Sequence, residues 1–271
     1  MFLYGFMQRA FQASFLISLV APILGLFLIL RRQSLMADTL SHISLAGVAL
    51  GMLIGVSPTW MNILVVVIAA IILEYLRMIY RTYSEISIAI MMSGGMAVAL
   101  VLMSLSDGGT TISIDQFLFG SIVTISQAQV WMLLFLTVTI VGLYFIFRKP
   151  MYILTFDEET AFTSGLPVQA MSILFNILTG VTIAVIIPIV GALLVSAILI
   201  LPAAISMRLS KSFTGVILIG IGIAIFGMVS GLISSYQYGT PPGATITLIF
   251  IGVFIVTILI KKFKPAKRKE H

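Results

Sequence analysis

Apolar runs of about 20 residues, the length at which a helix crosses a bilayer, follow one another along nearly the whole chain, separated by short polar breaks. They predict spans near 10–30, 37–56, 60–80, 86–106, 128–147, 168–187, 189–206, 213–235 and 243–260. Around Pro188 the pattern allows two readings, because Val181 to Ala204 fits either two spans or one broken helix with a re-entrant piece. The expected fold is all-α: a polytopic transmembrane helical bundle of eight or nine spans, forming a single membrane domain over residues 1–271. The stretch from Asp107 to Gln127 has glycine breakers and a short apolar part, Phe117 to Ile125. That part fits a re-entrant dip as well as an ordinary loop.

Composition strengthens the membrane reading. The chain is 60% hydrophobic and 9% charged, against roughly a quarter charged in a soluble domain. Its net charge of +6 sits at the ends of apolar runs, which excludes a nucleic-acid surface and fits anionic headgroups. Arg31 with Arg32, Arg77 with Arg81, Arg148 with Lys149, Arg208 with Lys211, and the tail after Ile260 all thread to one side. The positive-inside bias makes that side cytoplasmic, with the N-terminus outside and the C-terminus inside. The first 20 residues lack the basic start and cleavage site of a secretory signal and fit a retained span. Without cysteine, a disulfide framework and a thiolate metal site are both excluded.

The chemistry concentrates in Asp38-Thr39-Leu40-Ser41-His42, at the head of an apolar run. Residues four apart share a helix face, so the carboxylate and the imidazole converge, with Leu45, Ala46 and Ala49 continuing their stripe. Ionisable groups at membrane depth usually meet an ion or a substrate, and both groups are good ligands for a divalent metal. The blander alternatives are an Asp38 N-cap and a His42 hydrogen-bonded to a backbone carbonyl. Gly47, Gly51 and Gly55 form a small-residue row on the opposite face, suited to close helix packing. Two donors are too few for a tetrahedral site, so the pair implies a homodimer that brings two Asp38 and two His42 together. Because histidine ligates only when neutral, binding should weaken on acidification.

Other acids have plainer roles. Glu74 is expected in an interfacial ion pair with Arg77 and Arg81, and Asp107 and Asp115 in an outer loop are expected to be solvated, with contact to a metal-delivery protein as the alternative. In TFDEETAFTSGLPV, residues 155–168, the acids Asp157, Glu158 and Glu159 open a short helix, where negative charge suits the dipole. Gly165 and Pro167 then stop it, leaving a docking surface for a cytosolic subunit or a solvated connector. The chain has no GxxxxGK[ST] phosphate loop and no HExxH motif, so any ATP chemistry belongs to a partner chain.

Three blocks, RRQSLMADTLSHISLAGVALG (31–51), FDEETAFTSGLP (156–167) and VGALLVSAILILPAAIS (190–206), resemble the permease of the zinc and manganese ABC importers. The resemblance extends over essentially the whole chain. It implies a type II ABC importer-like fold, two permease copies, two cytosolic ABC ATPase subunits, an extracellular metal-binding protein and a bacterial plasma membrane. It also implies that Asp38 and His42 line the metal path and that the Asp157–Glu159 segment couples to the ATPase. No resident cofactor is expected, the transported ion being the cargo. The wording ADTLSHISLAGVALG is similar to the zinc branch, with manganese as the alternative. The rival from a different class is a proton-coupled secondary transporter that relays protons through the same pair.

Overall fold

The structure, a computed structural model, describes residues 4–80, 84–105, 114–121 and 125–263. These form eleven helices: α1 (Gly5–Leu30), α2 (Ser34–Ile54), α3 (Pro58–Ile79), α4 (Ser84–Leu105), α5 (Ile114–Phe119), α6 (Gln127–Phe156), α7 (Glu158–Thr163), α8 (Val168–Val190), α9 (Val195–Leu209), α10 (Phe213–Tyr238) and α11 (Pro242–Phe263). Among the described residues eight helices are long and apolar enough to cross a membrane, and there is no strand. The segment expected to span 189–206 is instead the 15-residue α9. It rises about 22 Å, short of the roughly 30 Å hydrocarbon core.

Helices α1, α2 and α8 are the most enclosed, whereas α4, α6 and α11 form the rim. Exposed Tyr4, Trp60, Trp131 and Tyr238 gather at one end of the bundle, and Tyr75, Tyr80 and Tyr152 at the other. Such aromatic girdles mark the two membrane–water interfaces.

The ambiguity at Pro188 has a physical resolution. Proline lacks an N–H, so the Ala184 carbonyl one turn earlier loses its intrahelical donor. Asn62 of α3 donates to that carbonyl from Nδ2 at 3.3 Å, while its Oδ1 accepts the Ser44 hydroxyl of α2 at 2.6 Å. With its free carbonyl satisfied, α8 runs through Pro188 and breaks only at Gly191, whose φ is +98°. The segment around α5 reaches this break. Ala192 and Leu193 donate from their backbone N–H groups to the Phe117 and Leu118 carbonyls at 3.0 and 3.3 Å, and Ser121 donates to the Pro188 carbonyl at 3.3 Å. A Cβ on Gly120 would fall 2.4 Å from the Val190 carbonyl carbon, so the two backbones cross with no room between them. Phe117 and Ile125 are buried, and Arg9 of α1 donates from Nε to the Ile125 carbonyl at 2.6 Å.

Two further expectations need correction. Helix α6 does not end at residue 147 but continues to Phe156 through Arg148, Lys149 and Pro150. Its basic pair is exposed, and the helix carries on past it by about two further turns. Within the glycine row, Gly47 and Gly51 bring α2 against α3: a Cβ on each would lie 2.8 Å from the Asn62 Cα and 2.9 Å from the Pro58 Cα. Gly55 does not pack. It ends α2 in a left-handed turn, φ +76°, with open space around it.

This contrast is testable. Gly47→Leu should destabilise the detergent-purified protein by about 1–3 kcal/mol through overpacking, seen as a lower melting temperature. Gly55→Asn, which tolerates the left-handed turn, should leave it nearly unchanged. Equal effects would contradict the packing described.

Candidate functional site

The entry to α2 is tightly specified. Helix α1 ends at Leu30, and Arg32 turns the chain with φ +56°, a left-handed conformation uncommon outside glycine. Gln33 then precedes α2, its backbone N–H bonded to the Leu28 carbonyl at 2.8 Å. Asp38 therefore lies in the second turn of the helix and does not cap it. Its Oδ2 stands 3.9 Å from His42 Nε2, too far for a hydrogen bond. Two ligands of one ion, each about 2.1 Å from it, stand roughly 3–4 Å apart, so the pair is near ligating separation.

Nearby hydroxyls are already occupied. Thr39 and Ser41 donate to the Leu35 and Ala37 carbonyls one turn back, and Ser44 donates to Asn62. His42 makes no hydrogen bond to a backbone carbonyl among the described residues. The Asp38 side chain is 36% exposed and that of His42 15%, on an open strip of α2 next to exposed Leu35. Leu45, Ala46 and Ala49, expected to continue this strip, are buried by the chain's own helices. The pair thus lies at the lip of the covered face, and neither residue lines the cleft beside Glu74 or the apolar pocket between α1, α6 and α8. Among the described residues no third His, Cys, Asp or Glu completes a metal cluster with it.

Glu74 makes the expected ion pair with Arg77, but as a buried group, 1% exposed, and not as a surface pair. Arg77 grips both its oxygens, from Nε at 3.0 Å and Nη2 at 2.8 Å. Ser172 and Asn176 of α8 also donate to it, and Gln33 approaches at 3.5 Å. Arg81 lies outside the described residues. The burial follows from α8, which presents a polar Ser172/Asn176 face to α3, a signal the hydropathy of a span conceals.

Asp157 caps α7, accepting the Thr160 N–H at 2.9 Å and the Thr160 hydroxyl. Ala161 anchors the helix in a small cluster with Leu154, Val168 and Met171. Glu158 and Glu159 stay exposed, and so does Phe162, at 74%. An exposed aromatic on a six-residue acidic helix is a feature that the charge pattern alone did not single out. Asp107 lies outside the described residues. Asp115 falls in α5, with its side chain outside the description.

The ABC 3 transport family matches residues 3–261, nearly the whole length. The chain belongs to this family. It is an integral membrane permease subunit of the metal ABC importers, and the ATPase of such importers is a separate chain. The permease is 32% identical over 264 residues to the "Probable metal transport system membrane protein" of Treponema pallidum, covering 97% of this chain and 98% of that one. It is 30% identical over 267 residues to the manganese import system permease protein ScaB of Streptococcus gordonii, covering 98% and 95%. Its fold is similar to that in the solved structure of PsaBC from Streptococcus pneumoniae in complex with Fab, with a TM-score of 0.85, 28% identity, and 98% and 95% of the two chains covered.

The Asp157 cap gives a pH prediction. Hydrogen bonds from the Thr160 side chain, and next from its backbone N–H, hold the Asp157 carboxyl below the ordinary carboxylate range. A lowered folded value means that the cap is intact above the ordinary aspartate range, ~3.9, and is lost as pH falls through the lowered value. Protection of the Thr160 amide from hydrogen exchange should fall over that window, and at neutral pH in Asp157→Ala but not in Asp157→Asn. Unchanged protection in Asp157→Ala would contradict the cap.

Proposed function

We propose that the permease imports a divalent transition metal along a path lined by Asp38 and His42 from two copies of the chain. The observation that carries this is an acid and an imidazole at near-ligating separation, facing an open strip of an otherwise enclosed helix. One chain offers two donors. A second copy set against the same strip supplies two more, enough to replace much of an ion's hydration shell. A symmetric pair of this kind is the commonest form of homo-oligomer.

Manganese is the leading cargo, with zinc second. ScaB is named for manganese, and oxygen and imidazole donors suit it; the wording of the α2 motif favours zinc. In this reading the end carrying Arg31, Arg77, Arg148 and Arg208 is cytoplasmic, the N-terminus lies outside and the C-terminus inside. An extracellular binding protein delivers the ion at the opposite end. The α7 segment, with Asp157, Glu158, Glu159 and exposed Phe162, docks on the ATPase, so that nucleotide-driven motion turns the site inward.

Uptake of radioactive manganese and zinc by the complete transporter in liposomes tests this. Asp38→Ala and His42→Ala should each reduce ATP-dependent uptake at least ~10-fold, by loss of one of few ligands, and uptake by the intact protein should weaken on acidification. Undiminished uptake in both variants would refute the site. Uptake driven by a proton gradient without the ATPase would favour the secondary transporter.

A further inference from the structure

Below the metal pair, at the basic end of the bundle, a cleft of about 460 Å³ is bordered by Arg31, Gln33, Glu74, Glu85, Glu158 and Asn176, among others. Its polar residues come from every element that meets there. Arg31 and Gln33 belong to the α1–α2 link, Glu74 to α3, Glu85 to α4, Glu158 to α7 and Asn176 to α8. Four side chains converge on Glu74, its two oxygens receiving hydrogen bonds from Arg77, Gln33, Ser172 and Asn176. Arg31 joins through Ser172 and lies over the Phe175 ring, 5.5 Å from its centroid.

We propose that Glu74 is a positioning residue for transport: it ties the α1–α2 link to α3 and α8, and so transmits movement of α7 to the turn that carries Asp38 and His42. This deepens the function proposed above and rests on it for the identity of the cargo. Three observations converge. First, Gln33 directly precedes α2, five residues before Asp38, so a shift at Glu74 reaches the metal pair through little more than one helical turn. Second, the link is strained at Arg32, with φ +56°, between the two residues that enter the cluster. Non-glycine residues held in such conformations persist where their surroundings fix them, and concentrate at functional elements. Third, the cluster has hydrogen-bonding capacity in reserve. Arg31 Nη1, Gln33 Oε1 and Asn176 Oδ1 are buried without a protein partner, and all three residues border the cleft. The same side chains therefore have groups with which to pair differently when the helices shift, as an element with two discrete arrangements requires.

Removing the charge isolates this role. In Glu74→Gln the volume and one acceptor remain, but Arg77 and Arg31 lose their counter-ion. The complete transporter, with its ATPase and binding protein in liposomes, should consume at least 5-fold more ATP per metal ion imported, while manganese binding to the resting permease stays at its wild-type level. Spin labels at Leu35→Cys and Ser164→Cys, clean because the chain has no cysteine, report the joint whatever the cargo. With labelled chains diluted among unlabelled ones, the nucleotide-induced change in their distance should shrink to less than half in Glu74→Gln. A wild-type ATP-to-metal ratio together with a wild-type distance change would overturn the proposal. So would a proportional fall in uptake and hydrolysis, the mark of a merely structural role. Should Glu74→Gln not fold, Ser172→Ala and Asn176→Ala each remove one donor and leave the Arg77 pair in place. Both should raise the ratio ~2–3-fold, and wild-type coupling in both would overturn it equally. A wild-type transporter that imports no metal, yet shows a distance change that Glu74→Gln abolishes, would remove the cargo assignment and keep the joint.

Discussion

Inside a bilayer no water is at hand for a polar group that has lost its partner, and the bundle is arranged around that constraint. Pro188 frees the Ala184 carbonyl, and Asn62 reaches across from α3 to satisfy it while accepting from Ser44. The break after Val190 exposes backbone groups, and the α5 segment pairs with them. Glu74 is fully buried and is surrounded by donors from α2's entry, α3 and α8. Each irregularity is met by a specific side chain or backbone group on another helix, so the irregularities are also where helices are tied together.

Against that background Asp38 and His42 stand apart. They lie on one of the most enclosed helices, yet their strip is left open and the His42 imidazole donates to no backbone carbonyl among the described residues. In the proposed function a second chain and a metal ion are the partners that complete them. Below them the Glu74 cluster fixes the entry of α2, and beside the cluster Glu158 begins the helix that faces the ATPase in the proposed arrangement. In the proposed arrangement hydrolysis acts on the ion from α7, whose Glu158 borders the same cleft as Glu74 and Gln33, through the entry of α2.

Much of this was legible in the chain itself. Spans were set by the length of apolar runs, and the Asp38/His42 face by a four-residue spacing. The short α7 followed from acids opposite a glycine–proline stop. What hydropathy could not show was partnership between distant segments. Pro188 reads as a helix breaker until Asn62, 126 positions earlier, is known to sit beside it. Glu74 reads as an interfacial acid because Ser172 and Asn176 are too few to disturb the apolar character of α8. Gly55 shares the spacing of Gly47 and Gly51, but spacing cannot tell a packing glycine from one that ends a helix.

The most direct test of the central claim is electron paramagnetic resonance of manganese bound to the purified permease, with the metal counted per chain. Shared ligation by Asp38 and His42 predicts one ion per two chains, with nitrogen hyperfine modulation that disappears in His42→Ala. One ion per single chain, or a manganese signal with no histidine nitrogen in the intact protein, would contradict it.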